Sequence, residues 1–85
     1  MKQLNPFLIK KPWISEKSTQ LAATGKYVFL VDKSAKSFQI KELIENIYKV
    51  HVTKVNIIRM NREDGVIKKA IVALKKGEHI DIIPN

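Results

Sequence analysis

Apolar positions along this chain recur with two periods, and the switches between them mark out its elements. The sharpest period-two segment is KYVFLVD. Tyr27, Phe29 and Val31 point one way and Val28 and Leu30 the other, so both faces are apolar and residues 27–31 predict a central strand. The sharpest helical segment is SFQIKELIENIYKV. Ile40, Leu43, Ile44, Ile47 and Tyr48 fall on one helix face, with Ser37 as the cap and Lys41 and Glu45 paired on the exposed side. Residues 54–60 form a second strand with Val55 and Ile57 on one face. Val50 and Val52 are out of phase with it, which makes Thr53 the joint where the chain leaves the helix. NREDG, residues 61–65, is a hairpin turn signalled by Asp-Gly. The return strand, residues 66–75, turns Ala70, Val72 and Leu74 to the core.

Weaker signals flank this centre. Leu8 and Ile9 open a short strand that Pro12 restricts to an edge or a strand end. Ser15 is an N-cap with Glu16 in the first turn, and the helix it starts runs to Thr24 and closes at Gly25. Its apolar stripe is thin, little more than Leu21 and Ala22, so it packs by one edge. Ile80, Ile82 and Ile83 of the tail are expected to tuck onto the sheet edge, and residues 1–8 to form a frayed arm. The order is strand, helix, strand, helix, strand, strand: one α+β domain over residues 1–85, a small sandwich with one antiparallel or mixed sheet.

Charge changes the picture more than length does. Sixteen basic residues, fourteen of them lysine, stand against eight acidic ones, a net +8 on 85 residues. So large an excess on so small a surface attracts a polyanion, nucleic acid before an acidic membrane. The chain has no cysteine, which excludes a disulfide framework, a thiolate zinc site and a cysteine nucleophile. Its N-terminal segment lacks the apolar run of a signal peptide, and no stretch is long enough to span a bilayer, so a soluble cytosolic protein is expected.

No catalytic constellation assembles. His51 and His79 lack ligand partners at metal spacing, the three glycines are too scattered for a phosphate loop, and Glu63 and Asp64 read as turn residues. Neither an enzyme nor a cofactor is expected. What remains is a set of cations around a sheet: Lys10, Lys11, Lys17, Lys33, Lys36, Lys54, Arg59, Arg62, Lys68 and Lys69, with Arg59, Lys68 and Lys69 close across the hairpin. Such residues contact phosphates and confer affinity more than sequence specificity. Tyr27 and Phe29 alternate as base-stacking aromatics do, which leaves open a free-standing single-strand nucleic-acid module beside plain core packing. A protein-docking module using Glu16 and the exposed first helix is a third reading.

KPWISEKS resembles the N-terminal signature of the ribosomal large-subunit protein family numbered twenty-three. The resemblance continues in order through YVFLVD, DKSAKS, IKELIENIYKV, VTKVNI, KKAIVALKKG and HIDI. It implies a four-stranded antiparallel sheet with two helices. It also implies a structural protein that binds large-subunit rRNA at the rim of the nascent-chain exit tunnel, beside ribosomal protein twenty-nine. Docking of trigger factor and the signal recognition particle is implied too, with no membrane contact and no homo-oligomer. Mapped onto this chain, Lys10, Lys11 and Lys17 match the basic signature positions, Lys36 the basic start of the long helix, Asn56 the strand asparagine, and Lys68 and Lys69 the paired lysines. Ile14, Ser15 and Glu16 match the chaperone-docking positions. Trp13, usually aliphatic in the family, is expected to pack on the sheet edge or first helix with one face toward RNA. Many bacterial members carry a long basic extension where this chain has only NREDG, so the resemblance leaves a tunnel-lining contact open.

Overall fold

A computed structural model describes residues 5–81. Its elements are a 3-10 turn Pro6–Leu8, β1 Ile9–Pro12, α1 Glu16–Ala22, β2 Lys26–Val31, α2 Ser37–Tyr48, β3 Val52–Arg62 and β4 Gly65–Leu74. The four strands make one antiparallel sheet in the order β1-β2-β4-β3. The α+β class, the element order and the central place of β2 are as the sequence predicts.

The pairing fixes two faces, because residues opposite each other in an antiparallel ladder share a face. Tyr27 lies opposite Val72, Phe29 opposite Ala70, and Val55 and Ile57 opposite the same two β4 residues. This face packs under α2, whose Ile40, Leu43 and Ile44 are buried, and forms the core with Val31, Leu74, Ala35 and Val52. Phe29 is fully buried and its ring lies 5.9 Å from that of Tyr48. Ile47, at the trailing edge of the α2 stripe, is 50% exposed, because the stripe turns past the sheet at its last turn.

Several local details differ from expectation. Ser37 is the first residue of α2 and not its cap. Lys36 occupies the cap position, and its backbone N–H donates to the Gln39 side chain at 3.0 Å. Glu45, expected to pair with Lys41, accepts from the backbone N–H of Val52 at 3.0 Å. Val52 is therefore already in β3, and its buried side chain is brought into phase by an irregularity between Val52 and Lys54. Thr53 is a bulge within the strand, not a joint before it. α1 ends at Ala22, two residues early, where Thr24 and Gly25 turn back by backbone donation to Leu21 and Ala22 and Gly25 takes φ +81°. Of the expected N-terminal arm, Pro6–Leu8 form a turn capped by Asn5, and Leu8 joins the core. Ile80 is buried, as the tail reading has it; residues 1–4, Ile82 and Ile83 lie outside the described residues.

Candidate nucleic-acid interface

The face of the sheet turned away from α2 is built by the other residues of the ladder. From β4 it takes Ile67, Lys69, Ile71 and Ala73, from β3 Lys54, Asn56, Ile58 and Met60, from β2 Lys26, Val28 and Leu30, and from β1 Lys11. Arg62, opposite Gly65, extends the row onto the hairpin end. Lys11, Lys26, Lys54 and Arg62 thus lie around an apolar centre, and Lys69, on the inner strand β4 opposite Leu30 and Ile58, lies within it. None of the chain's eight acidic residues lies on a strand; all stand in α1, α2, the connections and the tail. A sheet face whose strands carry cations and no carboxylate, around an apolar middle, attracts a polyanion.

Trp13 closes one side of this face. Its backbone N–H donates to the Val28 carbonyl at 2.8 Å, which extends the β1–β2 pairing by one residue past Pro12. The half-buried indole lies among Val28, Ile58, Met60 and Ile71, and Lys69 places its Nζ 3.8 Å from the ring centroid. That cation–π contact is worth ~0.5–1 kcal/mol at a partly exposed site. α1 adds Ser18 and Leu21 to the same wall. Ser15 and Ser18 hold its start in a reciprocal capping box, Ser15 Oγ accepting from the Ser18 N–H at 3.1 Å and Ser18 Oγ from the Ser15 N–H at 2.7 Å. This fixes Lys17 on the rim and leaves Ile14, Ser15 and Glu16 together in the open, Ile14 47% exposed.

The candidate cations do not form one cluster. Lys68 and Lys69, adjacent in sequence, emerge on opposite faces. Lys68 lies opposite Arg59 on the α2 side, and its Nζ donates to the backbone carbonyls of Lys33 at 3.2 Å and Ala35 at 2.8 Å. Its ammonium is thereby committed to pinning the β2–α2 connection. The parity of Lys68 with Ala70, Val72 and Leu74 was the signal for this in the sequence. Lys10, at the β1 bulge, and Lys33 flank Asp32, whose carboxyl accepts from the Ser34 hydroxyl and backbone N–H. Those bonds, with a smaller contribution from the two lysines, hold Asp32 below its ordinary value of 3.8. Lys36 is exposed at the start of α2. Lys11, Trp13, Lys17, Asn56, Arg62 and Lys69 therefore belong to the open face, while Lys10, Lys33, Lys36, Arg59 and Lys68 gather around the β2–α2 connection.

Tyr27 and Phe29 are 4% and 0% exposed beneath α2, so neither offers a ring to a base, and the single-strand module built on them is ruled out. Among the described residues no group of three or more histidines or carboxylates could hold a metal ion, and no helix is long and apolar enough to cross a membrane.

The family model for ribosomal protein L23 matches residues 7–82, nearly the whole chain. The chain belongs to the ribosomal protein L23 family. It is similar to the large ribosomal subunit protein uL23 of Rickettsia africae (strain ESF-5) and of Rickettsia conorii (strain ATCC VR-613 / Malish 7). Each is 48% identical over 84 residues, covering 87% of this chain and 86% of the relative. The same protein of Rickettsia typhi (strain ATCC VR-144 / Wilmington) matches at 48% over the same share. Family membership and the four-stranded sheet agree with the resemblance carried by KPWISEKS and KKAIVALKKG.

Proposed function

We propose that this chain is a structural constituent of the large ribosomal subunit, cytoplasmic with the ribosome, and that it acts by binding rRNA and not by catalysis. The observation that supports this most is the open sheet face, with five cations, an apolar centre and no carboxylate on any strand. Its rRNA contacts are assigned to Lys11, Trp13, Lys17, Asn56, Arg62 and Lys69 on that face. Lys10, Lys33, Lys36 and Arg59 supply a second, peripheral set. The mechanism is phosphate neutralisation and recognition of folded RNA shape.

At the start of α1, Ile14, Ser15 and Glu16 form an exposed corner. Family resemblance supports its use as a docking point for trigger factor and the signal recognition particle at the exit-tunnel rim, next to ribosomal protein twenty-nine. The β3–β4 hairpin runs three residue pairs past the last pairing of β4 with β2, about 10 Å at a strand's rise, so a short projection stands where longer members carry an extension.

The test is binding to a large-subunit rRNA fragment containing the third domain, against an unrelated folded RNA of equal length, titrated in salt. The cognate fragment should stay bound at physiological salt after the control is lost, with a log–log slope steepened by about 0.7–0.9 per phosphate neutralised. Equal loss of both RNAs would reduce the charge to a general attraction for polyanions and sink the reading.

A further inference from the structure

The groove beside Trp13 has features that phosphate neutralisation alone does not call for. It is an open groove of about 180 Å³ between the indole, Val28, Ile58, Met60 and Ile71, with Lys69 and Lys17 beside it. That is below the ~300–1,000 Å³ typical of sites for drug-sized ligands. The space suits one flat ring system and little more. Ile58, on the outer strand, is 41% exposed, so the apolar floor is open and not sealed by the protein itself. The polar side chains that line it are Ser15, Lys17, Ser18 and Lys69. An apolar slot with an aromatic wall and cationic rim is complementary to a base attached to its phosphates.

We infer that this groove takes one unpaired nucleobase of the bound RNA, stacked on Trp13, with the flanking phosphates held by Lys69 and Lys17. Lys69 is the placeholder. In the free protein its ammonium covers the indole at 3.8 Å. When RNA arrives, the flexible lysine moves to a phosphate and the base takes its position over the ring. The site recognises a base because the base is unstacked, so it selects a bulge or loop within the RNA and not a regular helix. The inference rests on the rRNA reading and adds to it a position where the contact is to a base.

Trp13 is the only tryptophan in the chain, so its emission reports on the groove directly. The full chain is titrated with the third-domain rRNA fragment and with the unrelated folded RNA. A stacked base quenches the indole, and the cognate fragment should both lower the emission and shield it from iodide. Trp13→Leu should weaken cognate binding about five- to hundredfold, whereas Trp13→Phe, which keeps a ring, should stay within about threefold of the parent. The emission readout needs no substitution, so it decides the matter even where Trp13→Leu unfolds. Tight cognate binding with unchanged emission would overturn the inference and leave the rRNA reading standing. Equal binding of both RNAs would overturn the rRNA reading itself, whatever the emission does.

Discussion

Lys68 and Lys69 are adjacent in the chain and have opposite duties. Lys68 donates to two backbone carbonyls, and Lys69 stands over an indole on the other face. Lys68→Met keeps the aliphatic stem and removes the ammonium, leaving the Lys33 and Ala35 carbonyls without that donor. It should cost ~1–3 kcal/mol in urea unfolding and leave the salt slope of RNA binding unchanged. Lys69→Met should do the reverse, with a shallower slope by about 0.7–0.9 and stability within ~1 kcal/mol of the parent. Matching effects from the two substitutions would refute the division of roles. Phe29 makes the parallel point for the aromatic residues. Since its ring is wholly enclosed under α2, Phe29→Leu should lower stability by about 1–1.5 kcal/mol through poorer packing. RNA affinity of the folded fraction should not move, and a specific drop in affinity would restore the stacking role that burial rules out.

Elements held by local periodicity were legible in the sequence, and those held by bonds between distant residues were not. β2, α2 and the β3–β4 hairpin were readable because alternation and helical spacing are properties of neighbours in the chain. The cap at Ser15 was readable because its partner, Ser18, is three residues away. The Glu45 bond to the Val52 N–H was not, because it depends on how α2 meets β3; nor was the bond from Lys68 to Lys33, which needs the β2–β4 register. In the interface the cations were found as residue types, but their division between two faces required the ladder. The tail shows the same limit. His51, which has no ligand partner at metal spacing in the sequence, donates from its backbone N–H to Glu78 at 2.8 Å and bonds it through Nδ1 at 2.9 Å, across 27 residues. The His51 side-chain bond, then the backbone bond, hold the Glu78 carboxyl below its ordinary value of 4.5. A carboxyl lowered by folding adds stability above its unfolded value and loses it as pH falls through the folded one. Asp32 is lowered too and contributes in the same direction. Glu78→Gln should therefore reduce, without abolishing, the fall in Tm as the pH drops below about 4.5. Parallel Tm–pH curves for parent and variant would mean that this tether does not form in solution.

Across the whole molecule the uneven placing of charge matters more than its sum. The net +8 follows from composition, but the strands carry none of the acids, so the sheet face away from α2 presents cations from its strands while the surface that includes α2 is mixed. α2 covers the other face with a helix that carries Glu42 and Glu45 alongside Lys41, so a polyanion meets opposing signs there. Two double substitutions of equal charge separate position from total. Lys11→Ala with Lys54→Ala removes two open-face cations, and Lys41→Ala with Lys76→Ala removes two from α2 and the loop after β4. All four side chains are exposed, so each variant should remain within about 0.5 kcal/mol of the parent in stability. The open-face pair should lower the salt slope on the cognate rRNA fragment by about 0.7–0.9 for each phosphate that is no longer neutralised, and the other pair should leave it nearly unchanged. Long-range attraction responds to total charge and is screened within about 8–10 Å at physiological salt, so measurement there isolates the short-range pairing of lysine with phosphate. Equal slopes for the two variants would show that the RNA responds to the +8 as a whole and that the open face has no special claim on it.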